Sequence, residues 1–199
     1  MQLCAITDRK RANQSLLSLV EGWSRGGVNF IQLREKDLNA TALQSLAGEV
    51  MTKIDRSRTR LLVNISTPEA AVLALAAGAD GVHLAGKPAL GAASRVRQAS
   101  PCGIPMISVP CHSLEDVDVA YEEEVDLILF SPVFEKVSGD EISAPQGLEG
   151  LRAACVAARG IPVVALGGVT AGNATDCVAA GAAGIAGIRL FAGDDWRRL

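Results

Sequence analysis

Short apolar runs alternate with longer segments of helical periodicity along the whole chain. The runs are rich in valine, isoleucine and leucine and lack polar alternation, which is typical of parallel strands buried on both faces. They predict eight strands, at residues 3–6, 28–33, 61–64, 81–84, 104–109, 125–130, 161–166 and 183–188. The segments between them predict helices at residues 14–25, 42–54, 67–77, 89–99, 113–123, 148–158 and 170–180, with a short last helix after Phe191.

Eight strands that alternate with helices, without an interrupting linker, predict the α/β class and a single (β/α)8 TIM barrel over residues 1–199. An internal echo supports the count of strands. Residues 76–82 match residues 179–185, and in both copies a helix ends in glycine and passes into a buried strand. Duplication of a half-barrel would put the two copies at units four and eight, and chance similarity in an Ala/Gly-rich chain is the alternative.

Composition and charge limit the classes of function that the chain can have. Of the 199 residues, 49% are hydrophobic but only 4% are aromatic, so aliphatic side chains must fill the core. The net charge of −3 argues against a nucleic-acid partner. No apolar run approaches the roughly 18 residues of a membrane span, and no leader precedes the first strand, so we expect no membrane partner and a cytoplasmic location. The five cysteines lack metal-ligand spacing and are expected to be reduced core thiols. The sequence does not decide the oligomeric state, and a homodimer is one possibility.

Glycines end both of the last two predicted strands. Gly167 and Gly168 follow strand seven, and Gly187 precedes Ile188 at the end of strand eight. Glycine has no Cβ, so backbone N–H groups can approach a ligand closely. Thr170 is expected to cap a helix whose first N–H groups point to the same place. A TIM barrel binds phosphate at these strand ends, so we expect a small-molecule phosphate ligand there, unless the glycines serve only tight turns.

A row of polar side chains ends strand two. Alternation puts Gln32, Arg34 and Lys36 on one side of the extended chain and Glu35 on the other. Two cations and an amide that face one pocket suit a phosphate, a diphosphate or a carboxylate, although a solvated charge cluster gives the same pattern. Asn64 ends strand three, where it could hydrogen-bond a ring nitrogen or an amine, or simply cap a turn.

The two histidines both lie near strand ends. His83 sits between apolar residues in strand four and is expected to be a core histidine with satisfied hydrogen bonds. His112 follows strand five and is a candidate acid–base group, or a residue that only caps the next helix. Cys111 beside it could be a nucleophile, but a buried thiol is the simpler expectation.

The segment after strand six is long and polar. It holds Glu135, Lys136, Ser138, Asp140 and Glu141. At the C-terminal face of a barrel such a loop is either a lid over the site or a solvated surface loop, and the sequence leaves both open.

These motifs, in order along nearly the whole chain, resemble thiamin phosphate synthase and its relative TenI. The resemblance rests on AITD at residues 5–8, IQLREK at 31–36, the segment 76–84, HSLE at 112–115, PVF at 132–134, GLEG at 147–150 and PVVALGG at 162–168. Synthases of this family join a pyrimidine methyl diphosphate to a thiazole phosphate with the help of Mg²⁺. TenI proteins bind the same thiazole phosphate and, where characterised, tautomerise its carboxylated form.

The resemblance implies roles for particular residues. Those expected around the pyrimidine and diphosphate pocket are Gln32, Arg34, Lys36, Asn64, Lys136 and Ser138. The thiazole phosphate is expected at the glycine cradle, on Gly168 and Gly187.

The metal positions of the synthases are not kept. The aspartate expected after Asn64 is Ile65, and the aspartate expected after strand four is Pro88. Mg²⁺ prefers carboxylate oxygens, which these two side chains cannot supply. We therefore expect no metal ligand and no cofactor, with Mg²⁺ required only if the chain is an active synthase.

The proton-transfer group of TenI is also replaced, because Pro132 stands where TenI has a histidine. A proton shift would then fall to His112, Lys36 or Lys136, and we favour His112. The sequence thus predicts a TenI-like, metal-independent thiazole tautomerase. The alternatives are a thiamin phosphate synthase with an altered metal site, a binder or regulator without catalysis, and another phosphate-dependent barrel enzyme.

Overall fold

The computed structural model of the protein describes residues 1–101, 103–135 and 144–199. Eight parallel strands form a closed barrel in sequence order, and β1 pairs with β8 to close it. The strands are β1 (Gln2–Ile6), β2 (Phe30–Leu33), β3 (Arg60–Ile65), β4 (Gly81–Leu84), β5 (Met106–Cys111), β6 (Leu127–Phe130), β7 (Val163–Ala165) and β8 (Gly184–Gly187). The predicted α/β class and (β/α)8 TIM barrel are confirmed.

A helix follows each strand and packs on the outside of the barrel. The helices are α1 (Leu16–Arg25), α2 (Ala40–Met51), α3 (Pro68–Ala76), α4 (Ala92–Ala99), α5 (Leu114–Glu122), α6 (Gly147–Ala157), α7 (Ala174–Ala179) and α8 (Arg189–Ala192), with a final 3₁₀ turn at Asp195–Arg198. None of the helices within the described residues is long and apolar enough to span a bilayer.

The core has two layers because successive strand residues point to opposite faces. The side chains that fill the barrel interior are Cys4, Ile6, Phe30, Leu62, Leu127, Leu129, Val164 and Ala186. Their neighbours along each strand, such as Ile31, Val63 and Ile128, pack outward against the helices. Aliphatic side chains dominate both layers, as the low aromatic content predicts. The thiols of Cys4, Cys111 and Cys177 are buried and free, which agrees with the prediction for these three cysteines.

Helix starts follow the sequence signals in two cases and depart from them in a third. Ser113 Oγ accepts from the Asp116 N–H at 3.2 Å, and Thr67 Oγ1 accepts from the Ala70 N–H at 3.3 Å. The prediction that Thr170 caps a helix is wrong, because α7 begins after Asn173. Turns precede it, and the Thr170 carbonyl accepts from the Asn173 N–H at 3.3 Å.

Five strands, β2, β5, β6, β7 and β8, start one or two residues later than predicted. Residue Ile104 is 88% exposed, and β5 begins only at Met106. Gly103 and Pro105 flank Ile104, so its apolar character does not mean burial. Val125 is buried, but it precedes β6, because ladder pairing begins at Leu127.

The internal echo has a structural counterpart. Gly81 starts β4 and Gly184 starts β8, and a Cβ at either position would meet a backbone oxygen of the next strand. The distance would be 2.0 Å to the Met106 oxygen and 2.1 Å to the Gln2 oxygen. Only glycine allows the two strands to approach so closely at these places.

Three residues that directly precede even-numbered strands each accept a hydrogen bond from a backbone N–H of the strand before, which holds the two strands in place. The side chains of Asn29, Asp80 and Asp126 accept from the N–H groups of Leu3, Leu61 and Ile107, at 2.9, 2.8 and 2.7 Å respectively. At the fourth such position, before β8, the chain has Ala183, whose methyl group cannot accept a hydrogen bond.

Candidate functional site

A cavity of about 1140 Å³ opens at the C-terminal ends of the strands. Its apolar floor consists of Ile6, Leu129, Leu166, Ala186 and Ile188. The predicted site residues that line it are Gln32, Arg34, Lys36, Asn64, His112, Gly167, Gly168, Gly187 and Ile188. The predicted substrate-binding residues Lys136 and Ser138 lie outside the described residues. A large cavity with an apolar floor and few polar groups is typical of a small-molecule site.

The glycine pair after β7 has a structural reason of its own. Gly167 and Gly168 have φ angles of 91° and 67°, in the region that favours glycine. A Cβ on Gly167 would lie 2.7 Å from Pro132 Cα, and one on Gly168 would lie 2.7 Å from the Glu135 oxygen. The pair therefore allows the loop after β7 to pack closely against the loop after β6. The tight-turn interpretation therefore accounts for both glycines, and phosphate binding stays a prediction for residues that also line the cavity.

The loop from Gly168 to Gly172 presents backbone amides at the cavity wall. The N–H groups of Gly168, Val169, Ala171 and Gly172 make no hydrogen bond with any of the described residues. Unpaired amides at the edge of a cavity form a concavity that suits an anion. The sequence predicts a phosphate ligand near these glycines with N–H groups from a helix that starts at Thr170; the helix start is wrong, because α7 begins after Asn173, and the phosphate stays a prediction.

Asn173 braces this loop and was not predicted. Its Oδ1 accepts from the Thr170 N–H at 2.7 Å, and its Nδ2 donates to the Gly168 carbonyl at 3.1 Å. These two bonds fix the shape of the loop, whose residues 168–172 line the cavity. An Asx residue three positions after a threonine could have suggested such a turn.

The polar side chains at the end of β2 point to opposite sides, as the alternation along an extended chain predicts. Arg34 and Lys36 line the cavity, and their side chains have neither a hydrogen bond nor an ion pair with the described residues. Gln32 is 2% exposed, and its Nε2 has no partner within the same part of the chain. Glu35 points the other way and accepts from the guanidinium of Arg9 at 3.2 Å. A buried amide without a partner costs free energy unless a ligand or water completes it.

His83 is a buried, neutral residue on the cavity wall. Burial, with a smaller contribution from the positive charge of Arg34, lowers the pKa of His83 to about 3. Its Nδ1 lies 2.9 Å from Ser108 Oγ, which lies 3.4 Å from the Val82 oxygen. Since a carbonyl can only accept, this chain directs the serine proton to Val82 and leaves Ser108 to accept from His83. The prediction of a satisfied core histidine agrees with these contacts.

His112 is exposed, and two hydrogen bonds hold it in place, one from its ring and one from its backbone. Its Nδ1 donates to the Ser131 carbonyl at 2.7 Å, and its own N–H donates to Asp116 at 2.8 Å. A proton on Nδ1 leaves Nε2 of the neutral ring free to accept. Cys111 beside it is buried, and burial, together with the charge of Asp116, raises the pKa of its thiol to about 12, so it is a poor nucleophile.

Carboxylates do not gather into a metal site in the part of the chain that the structure describes. Asn64 and His83 are partners in the β3–β4 register, and Ile65 and residues 85–88 supply no acidic side chain at these strand ends. Two of the acidic residues on the cavity wall are already paired, Asp8 with Arg11 at 3.0 Å and Asp195 with Arg198 at 3.6 Å. Mg²⁺ is usually held by one or two carboxylates together with phosphate oxygens of the substrate, and the described part of the wall offers only one unpaired carboxylate, that of Glu135, which makes a poor Mg²⁺ site.

Comparisons with known proteins agree with one another. The family model TMP-TENI, described as thiamine monophosphate synthase, matches residues 3–191. A Geobacter sulfurreducens protein named "Putative thiamine-phosphate synthase" is 40% identical, over 96% of this chain and 87% of its own length. The Aquifex aeolicus "Putative thiamine-phosphate synthase 2" is 39% identical, over 96% and 97%. The solved structure of a Pyrococcus furiosus thiamine phosphate pyrophosphorylase has a TM-score of 0.80 at 26% identity and covers 99% of this chain and 90% of its own.

Proposed function

Because the chain belongs to the thiamine monophosphate synthase (TMP-TENI) family of enzymes, we propose that it acts in thiamin biosynthesis on a thiazole phosphate. The phosphate binds to the free amides between Gly168 and Gly172, and the thiazole ring lies on the apolar floor. The reaction is a metal-independent tautomerisation of the carboxylated thiazole phosphate. A single observation carries this proposal: one cavity combines a loop of unpaired backbone amides with an oriented imidazole, and the described residues form no cluster of carboxylates for a metal there.

His112 is the proposed acid–base group. Its Nε2 takes a proton from one ring position, the double bond shifts, and a proton returns at another position, so the composition of the substrate does not change. The bond from Nδ1 to Ser131 holds the ring in the tautomer that can accept this proton. Lys36 is the second catalytic candidate, because it lines the same cavity and can neutralise negative charge that develops on the substrate.

The test compares proton exchange with binding in matched variants. Wild type should exchange ring protons of the carboxylated thiazole phosphate in D₂O with EDTA present. His112→Gln should lose about 10²- to 10⁴-fold in rate, the usual contribution of a positioned acid–base group, with little change in affinity. His83→Gln is the comparison variant, because His83 lies on the same cavity wall but is buried and has its Nδ1 bonded to Ser108. Exchange that is unchanged in His112→Gln would refute the role of His112, and binding without exchange in wild type would make the protein a binder.

Thiamin phosphate synthesis is the second candidate function. The names of the relatives and of the Pyrococcus furiosus structure favour it. Against it stands the cavity wall, which offers no cluster of acidic side chains among the described residues. Formation of thiamin phosphate from pyrimidine methyl diphosphate and thiazole phosphate, dependent on Mg²⁺, would support the synthase and refute a purely metal-independent role.

A further inference from the structure

Arg189 is a cation on the cavity wall that the proposed reaction does not use. It is the first residue of α8 and follows Gly187 and Ile188 directly. Its side chain is exposed, lines the cavity, and has no ion pair or hydrogen bond with the described residues. The arginines that follow it in the chain differ, because Arg197 pairs with Asp194 at 2.9 Å and Arg198 pairs with Asp195 at 3.6 Å.

The turn that carries Arg189 is anchored firmly. Phe191 is fully buried between Trp23 and Trp196, the two tryptophans of the chain, with ring centroids 6.3 and 6.0 Å apart. Trp23 Nε1 also donates to the Phe191 carbonyl at 3.0 Å. The backbone under Arg189 is therefore fixed while its side chain is free to meet a ligand. Such preorganisation lowers the entropy cost of binding.

The chemistry of the cavity wall indicates which group Arg189 meets. The loop amides at residues 168–172 offer partial positive charges, whereas a guanidinium adds a full charge and two parallel donors. At the start of a helix the Cα–Cβ bond tilts toward the N-terminal end, which here is the side of Gly187 and the cavity. Asp8 and Asp195 on the wall do not compete for Arg189, because each is already paired with another arginine, and no ion pair joins Arg189 to Glu135, the third acidic residue of the described wall.

We propose that Arg189 is a specificity-determining residue that pairs with the phosphate of the bound ligand and selects phosphorylated over unphosphorylated thiazoles. The proposal rests on the phosphate position in the proposed function. It gives the anion two kinds of partner, backbone amides from the loop after β7 and one side chain from the turn after β8. Neutral ligands gain nothing from the guanidinium, so the discrimination depends on the charge of the phosphate.

Calorimetric titration of four proteins tests this role. The variants are Arg189→Ala, Arg189→Lys and the control Arg60→Ala, and the probes are inorganic phosphate, thiazole phosphate and the unphosphorylated thiazole alcohol. Arg60 is an exposed arginine at the first residue of β3, at the opposite end of the barrel, so its removal changes the net charge equally. Arg189→Ala should weaken the binding of inorganic phosphate and of thiazole phosphate about tenfold, which is the usual effect of losing one charged hydrogen bond. The affinity for the alcohol should not change. Arg189→Lys should recover part of the loss, because lysine keeps the charge but not the two-donor geometry.

The outcomes separate this proposal from the proposed function. If wild type binds thiazole phosphate and Arg189→Ala binds it equally well, Arg189 has no such role and the proposed function stands. If wild type binds inorganic phosphate through Arg189 but not thiazole phosphate, the arginine is confirmed and the proposed ligand is wrong. An equal loss in Arg60→Ala, or a loss for the alcohol as well, would contradict a contact between Arg189 and phosphate.

Discussion

Replacing His83 with glutamine should remove a large part of the acid sensitivity of the fold. His83 is 5% exposed, and the folded chain holds its pKa at about 3, against an ordinary value of 6.5. The unfolded chain therefore takes up this proton first as the pH falls. Stability from the neutral histidine is fully present above pH 6.5 and is lost progressively as the pH falls toward 3.

The size of the effect follows from the two pKa values. One proton taken up by the unfolded chain alone gives a slope of about 1.4 kcal/mol per pH unit. Integrated from about pH 7.5 to about pH 4.5, His83 should cost the wild type roughly 2.5 kcal/mol of unfolding free energy. Carboxylates that titrate in the same range are common to wild type and variant, so they cancel in the difference between the two.

Urea unfolding across this pH range measures the effect. The free energy of unfolding of wild type should fall more steeply with acid than that of His83→Gln, so the difference between the two should change by roughly 2.5 kcal/mol between about pH 7.5 and about pH 4.5. His112→Gln is the matched control, because His112 is exposed and should leave the steep dependence in place. Parallel curves for wild type and His83→Gln would show that His83 takes up its proton over the same pH range in the folded and the unfolded chain, which would refute the lowered pKa of the buried histidine.

Three further substitutions test the contacts that shape the barrel, each by urea unfolding. Glu35→Gln should lower the free energy of unfolding by about 2 kcal/mol, because its contact with the Arg9 guanidinium loses its charge; an unchanged midpoint would contradict the importance of this pair. Ala183→Asp should raise stability by about 1 kcal/mol, because a carboxylate before β8 can accept from the Val163 N–H as Asp80 does from Leu61; a loss of stability would show that the position cannot accommodate it. Gly184→Ala should cost about 3 kcal/mol or more, because its Cβ would lie 2.1 Å from a backbone oxygen; tolerance would mean that β8 can move away from β1.

The barrel could be predicted from the sequence because its signals are repeated and local. Eight aliphatic runs, each followed by a helical segment, leave few arrangements other than a closed parallel sheet. The caps at Ser113 and Thr67 were predictable for the same reason, since a short polar side chain needs only its own next turn. The limits of β5 and β6 were not, because pairing with neighbouring strands decides them and residues such as Ile104 carry no sign of it.

The candidate site was predictable in its location but less so in its details. Strand-end residues such as Gln32, Arg34 and His112 converge on one cavity because a barrel brings all strand ends together. The bracing by Asn173 and the contact from Nδ1 of His112 to Ser131 depend on loop conformation, which no periodic pattern encodes. The neutral state of His83 depends on burial and on Arg34, which lies on another strand end.

Proton exchange on the carboxylated thiazole phosphate, followed by NMR in D₂O with EDTA and wild-type protein, tests the central claim most directly. Deuterium incorporation and conversion between tautomers are expected at an enzymatic rate without any metal. Absence of exchange, together with Mg²⁺-dependent formation of thiamin phosphate from the two synthase substrates, would contradict it and make the chain a synthase whose metal ligands lie elsewhere.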